Sequence, residues 1–373
     1  MTATSTNGVA TPPPPSKVSL YEASTQCKNW RFSAEQLAHT RATLNEAAVR
    51  VIQKTFEDHE LCQLKGVFQP GSSNNVSFLN ADEEVLLVKL YITKITQLCG
   101  LFHFPEEVEA TAITYLKRFY LKNTVMDWHP KNVMQTTNNP ISLEAYTHHI
   151  PKTSPNDVLD LEFLVAQSLG FEFAVWHAHR ALWGIWLDIQ VRSIIHCSLL
   201  VSPSEVCDQN LPIVSQKLSP ELYNTALGHI RASRLTDAEL IYTPSQIALA
   251  AFALTVPEIA SQWLATKLPS EVTNLKQATE EIMLLITTHG QSPNVESVRE
   301  VDRRLRLCKN PEKVVGSKAY LARKQDEERR TQEKRDRKAA ESQKPADEED
   351  VFGNELGQKR QGLVDYDDDD DDD

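Results

Sequence analysis

The chain has 373 residues, 41% of them hydrophobic, enough for two domains of ordinary size, each with its own core. Its six cysteines are scattered without a CxxC pair and only 12 residues are glycine, which argues against a disulfide framework, a zinc site and turn-rich sheets. The net charge is −12, of which residues 311–373 carry −7; the preceding body, at −5, is a poor nucleic-acid binder by bulk electrostatics.

In chain order, the opening MTATSTNGVATPPPP is uncharged and proline-rich, unlike a signal peptide. No run of 18 apolar residues occurs, so no membrane-spanning helix is expected. A soluble protein of a reducing, intracellular compartment is the expectation. Ser33-Ala34-Glu35-Gln36 forms a capping box, with Phe32 and Leu37 at the spacing of a hydrophobic staple, ahead of a helix over 33–57. Residues 66–78 read as a loop. Asn80-Ala81-Asp82-Glu83 repeats the capping device before a helix over 81–101, whose Val85, Val88, Ile92, Ile95 and Leu98 recur at helical spacing. A helix over 105–122 leads into AITYLKRFYLKNTVMDWHP (112–130), with Lys117 and Arg118 side by side in an apolar run.

Further helices are predicted over 142–149, 155–169, 177–190, 220–235, 244–255, 257–267, 271–289 and 294–308. Ser154-Pro155, Ser219-Pro220 and Thr243-Pro244 each set a capping hydroxyl before a proline at the first helical position, where its missing N–H is harmless. Residues 191–219 read as a long irregular stretch. Past about residue 315, mixed charges without an apolar face fit either a solvated helix or disorder, and DYDDDDDDD cannot bury anything. The fold class is all-α.

The tools of an enzyme are absent from the sequence: it contains no GxG, GxxxxGK, HExxH or GxSxG. His148-His149 and His177-Ala178-His179 are the histidine clusters; neighbours on a helix diverge by about 100°, so surface or capping roles are expected rather than metal binding. Trp176, Trp183 and Trp186 share a helix face and are expected in a core. No cofactor is implied, and the chain is not expected to be an enzyme.

ITYLKRFYLKNTVMDWHP resembles the second helix of the first cyclin box in the cyclin H family of transcriptional cyclins. The likeness extends to NWRFSAEQLAHTR, ADEEVLLVKLYITKITQLCGLF, VLDLEFLVAQSLGFEF and LTDAELIYTPSQIALAAFAL, touching most of residues 29–310. It implies two tandem five-helix cyclin boxes with flanking helices. The chain then divides into a disordered tail (1–28), an N-terminal helix and loop (29–78), a first box (79–175), a linking helix and irregular insertion (176–219), a second box (220–290), a C-terminal helix (291–314) and a disordered acidic tail (315–373). Lys117 and Arg118 are expected at the rim of a core helix, with no assigned contact.

The family binds a cyclin-dependent kinase and holds its regulatory helix inward. In it a third-helix lysine and a fifth-helix glutamate anchor the kinase. Glu162 occupies the glutamate position, and Phe171, Phe173 and Ala174 match apolar positions that touch the kinase helix. The implied function is that of a CDK-activating kinase subunit acting on other cyclin-dependent kinases and on the RNA polymerase II tail, in the nucleus. The implied partners are the kinase catalytic subunit, a RING-finger assembly factor and the TFIIH core, without direct nucleic-acid or membrane contact. Another transcriptional cyclin, or a IIB-type DNA-binding factor of tandem cyclin folds, are the alternatives; the second would bring a zinc ribbon and a basic body.

Two departures stand out. HPKNVM runs directly into QTTNNPISLEAY, leaving out roughly nine residues, about two and a half turns of helix, with the contact lysine. Residues 191–210 have no counterpart in the family pattern. Misassigned exons or an alternative transcript would produce both. Polar residues 135–141, interrupted by Pro140, are not expected to fill the space of an apolar helix, so a loosened first box and poor kinase activation are expected.

Overall fold

In the computed structural model the described residues are 19–63, 76–137, 155–199, 219–269 and 272–342. Among them the regular structure is helical, with no strand. The chain divides between Tyr320 and Leu321 into two units, and both helical bundles lie in the first.

Two short helices, α1 (Leu20–Ala23) and α2 (Thr25–Asn29), precede the long α3 (Ala34–Gln63). Ser19 and Ser24 cap the short pair, their hydroxyls accepting from the amides of Glu22 and Cys27. Residues 19–28, expected in a disordered tail, are therefore folded. The first bundle follows as α4 (Ala81–Leu101), α5 (Glu106–Phe119), α6 (Pro130–Thr137) and α7 (Pro155–Ser168). Asn80 and Glu83 close the expected capping box on α4. The core joins Leu87, Ile95, Ile113, Phe119, Val133 and Val165, with Ile52 of α3 closing one side.

Helix α6 corrects the expectation for QTT. Residues 135–137 continue the helix, and Val133, Met134, Gln135 and Thr137 are buried. The Thr136 hydroxyl donates to the Val158 carbonyl at 3.1 Å, tying α6 to α7. Residues 142–149, expected helical, lie outside the described residues.

The second bundle consists of α8 (Ala178–Leu199), α9 (Pro220–Ser233), the short α10 (Ala238–Ile241), α11 (Pro244–Thr255), α12 (Pro257–Lys267) and α13 (Val272–His289). Helix α11 is apolar all round and correspondingly central, with Ile247 through Ala253 buried. Thr243 caps it by accepting from the Gln246 amide. Helix α8 is more than a linker: Leu182, Ile185, Trp186 and Ile189 form part of this core. It also runs nine residues past the expected end at 190, so 191–199 are helical rather than irregular. Helix α14 (Val295–Leu305) then returns to the first bundle, where Val298, Val301 and Leu305 enter the core. The last helix, α15 (Lys318–Ser342), occupies a stretch for which helix or disorder was open, so disorder from 315 onward is incorrect for 318–342.

The basic pair of α5 sits between the bundles rather than at a rim. Lys117 and Arg118 are 6% and 1% exposed. Lys117 Nζ lies 2.9 Å from Glu239 and donates to the Thr236 carbonyl at 2.7 Å. Nearby, Arg234 bridges Glu106 and Glu109 of α5 at 2.7 and 3.2 Å. Arg41 of α3 forms a two-bonded fork on Asp237, both bonds 2.7 Å. Burial alone would raise the Asp237 carboxyl, but the Arg41 hydrogen bonds and charge outweigh it and hold the group below its usual range. The same balance, with Arg231 and Arg234 as partners, lowers Glu106. The faces that join the two bundles are thus matched ion pairs, which set their mutual register.

Candidate functional site

Helix α7 has two unlike faces. Val158, Leu161, Val165 and Leu169 recur at helical spacing and are buried. On the opposite face Leu159 and Phe163 are 51% and 69% exposed, with Glu162 exposed between them. Burying the first stripe therefore presents the second to solvent.

The chain leaves α7 through a Schellman turn: the Phe171 amide donates to the Ala166 carbonyl and the Gly170 amide to that of Gln167, both at 3.0 Å. Gly170 takes φ +64°, which costs it little. Phe171 follows at φ +59°, a rare conformation for a bulky residue, with a strain of order 1–3 kcal/mol. This turn throws the Phe171 ring outward, 6.2 Å from Phe163 and 6.4 Å from Phe173. Tyr115 extends the row, its ring 6.1 Å from Phe173 and its hydroxyl donating to the Phe173 carbonyl at 2.6 Å. Phe171 and Phe173 are 57% and 48% exposed, and Ala174 is exposed. Large apolar groups gathered in this way mark an interaction surface.

A cleft of about 380 Å³ opens beside the row, lined by Tyr115, Thr136, Val158, Glu162, Val165 and Phe173. Glu162 lines it and makes no hydrogen bond or ion pair among the described residues. The structure brings all four expected site residues, Glu162, Phe171, Phe173 and Ala174, onto one surface. Leu159 and Phe163 complete it and were missed. Their signal was an apolar pair four residues apart, off the stripe that α7 uses for its core.

The N-terminal helices brace this surface. The Glu172 carboxylate accepts from Asn29 Nδ2 at 2.5 Å and Trp30 Nε1 at 2.6 Å. The buried Gln26 side chain accepts from the Trp176 amide at 2.6 Å and donates to its carbonyl at 3.3 Å. Arg118 donates to the Glu172 carbonyl and lies 4.9 Å over the Trp30 ring. Burial lowers the Arg118 pKa from its ordinary value. The segment after α7 is held from beneath and exposed above, which suits a docking face.

Two other expectations change. Trp186 is buried, but Trp176 and Trp183 are 43% and 49% exposed rather than in a core. His177 is neither on the open surface nor a cap; its Nε2 lies 2.9 Å from Thr111 Oγ1, and its ring stacks on His179 at 5.2 Å. Among the described residues no three His, Cys, Asp or Glu side chains are grouped to hold a metal ion.

The family profile described as Cyclin C-terminal domain matches residues 177–291, the span of α8–α13. A putative cyclin-H of Dictyostelium discoideum is 32% identical over 239 residues, 62% of this chain and 73% of its own length. A chain in the CAK complex of Chaetomium thermophilum shares the fold, with a TM-score of 0.61 at 22% identity over 89% of this chain and 98% of that one. A chain in the yeast TFIIK complex matches with a TM-score of 0.50 at 26% identity, over 71% of this chain and 100% of that one. Sequence likeness of that depth across most of a relative's length goes beyond what a shared helical packing requires, and the chain belongs to the cyclin H family.

Proposed function

We propose that this chain is the regulatory cyclin subunit of a cyclin-dependent kinase of the CDK-activating type. The observation that carries it is the braced row Phe163–Phe171–Phe173 beside Glu162, an apolar face with an acid unpaired among the described residues. Such a face fits the apolar side of a kinase regulatory helix, with Glu162 accepting from its polar groups. Binding the active conformer better than the inactive one shifts the kinase toward activity. It does so by completing the Lys–Glu pair and metal alignment of phosphoryl transfer. The chain contributes no catalytic group. The origin of a structural relative in a TFIIK complex supports the finer reading. In that reading the kinase acts on other cyclin-dependent kinases and the RNA polymerase II tail in the nucleus, and a RING-finger factor links it to the TFIIH core.

Pull-down of the full chain from native extract should recover a kinase, and the purified pair should phosphorylate a polymerase-tail peptide while the chain alone does not. Glu162→Ala should weaken kinase binding without lowering the melting temperature. Phe171→Gly should weaken binding at least tenfold, yet leave stability equal or higher because it relieves the positive φ. Unchanged kinase binding in both variants would place the docking face elsewhere.

A further inference from the structure

The last turns of α15 carry a surface that the kinase-docking role leaves unused. Lys334, Arg335, Arg337 and Lys338 are exposed and make no ion pair with the acids of α15 from Asp326 to Asp336, whereas Arg323, Arg329 and Arg330 pair with acids of their own helix. At about 100° per residue these four span an arc of roughly 160°. The acid in their midst, Asp336, falls on the far side and accepts from Gln332. Four cations crowded into little more than one turn repel one another unless an anion covers them.

Residues 343–373 hold 13 acidic against three basic residues, with eight aspartates in 365–373. We propose that this aspartate run occupies the basic arc of α15 within the same chain, shielding it from other polyanions. Lengths permit it: 22 residues separate Ser342 from Asp365 and can reach at most about 75 Å. Lys334 lies only about 12 Å back along the helix from Ser342. The tether gives the run an effective concentration on the order of millimolar. The pairing has no hydrogen-bond register to satisfy, so a plain run of aspartates is sufficient. It weakens steeply with salt.

A two-by-two comparison tests this: the full chain and residues 1–362, each with the native arc or with Lys334→Gln, Arg335→Gln, Arg337→Gln and Lys338→Gln together. The probe is a heparin-derived hexasaccharide at low salt. With a tail–arc affinity of about 0.1 mM, removing the run should tighten binding about tenfold when the arc is native. In the glutamine background it should change little. Equal tightening in both backgrounds would mean that the run acts only through net charge, and no tightening in either would mean that it does not reach the arc; both overturn the proposal. Zero-length carbodiimide cross-linking of the full chain should join Lys334 or Lys338 to the 365–373 aspartates within one chain. Cross-links found only between chains would assign the arc to a second copy and also overturn it.

Discussion

Lys117 shows how a single side chain changes meaning with its surroundings. In sequence it is a cation on an apolar helix; in the fold it is a buried partner of Glu239 and of the Thr236 carbonyl. Replacing Lys117 by Met should destabilise the protein by about 3 kcal/mol, because Glu239, 20% exposed, loses its ion pair and keeps the Thr114 hydroxyl as donor. Lys117→Met with Glu239→Leu should recover most of that loss, and urea unfolding of the three variants measures the cycle. His177 supplies a pH dependence. Burial first, then the charges of His179, Arg234, Arg180 and Arg118, push it down to about 3, so it stays neutral in the folded state. The unfolded chain takes up that proton below about pH 6.5. Stability should therefore fall as pH drops from about 6.5 toward about 3, by up to about 1.4 kcal/mol per pH unit for this group. Carboxylates held low, such as Asp237, add their own loss only at lower pH. His177→Gln should reduce the slope of the melting-temperature profile above pH 5, to which the lowered His129, His179 and His229 also contribute; an unchanged slope would assign it to those groups.

Helices announced by caps and periodicity were the legible ones. The α4 and α11 starts were readable from Asn80–Glu83 and Thr243–Gln246, because a capping box satisfies orphan amides wherever the helix sits. Helix α6 was not, since its Gln135 and Thr137 are polar and become buried only against α5 and α7. Tertiary contact overrides propensity for a helix of barely two turns. The far end of α13 gives a test at this scale. Gly290 follows it, and a Cβ there would press on the Ile286 carbonyl and on Ala232 of α9. Gly290→Ala should destabilise by about 1–3 kcal/mol, chiefly through the clash with the Ile286 carbonyl at the end of α13 and secondarily by pressing on Ala232. A melting temperature equal to that of the native chain would show that the seam yields.

At the scale of the molecule, the body and residues 321–373 are separate units. Removing residues 321–373 should leave the melting temperature of the body unchanged within about 1 °C, because none of the described residues 321–342 belongs to either bundle core. A cut at 315 should do worse, since Ala319 is buried and Ser317 donates to the Pro311 carbonyl. The all-α class, most helix starts and the tandem boxes were readable from the chain alone. Caps, prolines and apolar spacing are local, and the family motifs mark their own positions. What only the tertiary structure decided is non-local. It buried Lys117 and Arg118 between the bundles, folded residues 19–29 against the segment after α7, and drew α8 into the second core. It also turned Leu159 and Phe163 outward. Each of these depends on which partner lies opposite, and a carboxylate or an aromatic ring many residues away leaves no mark in the local pattern that it will complete.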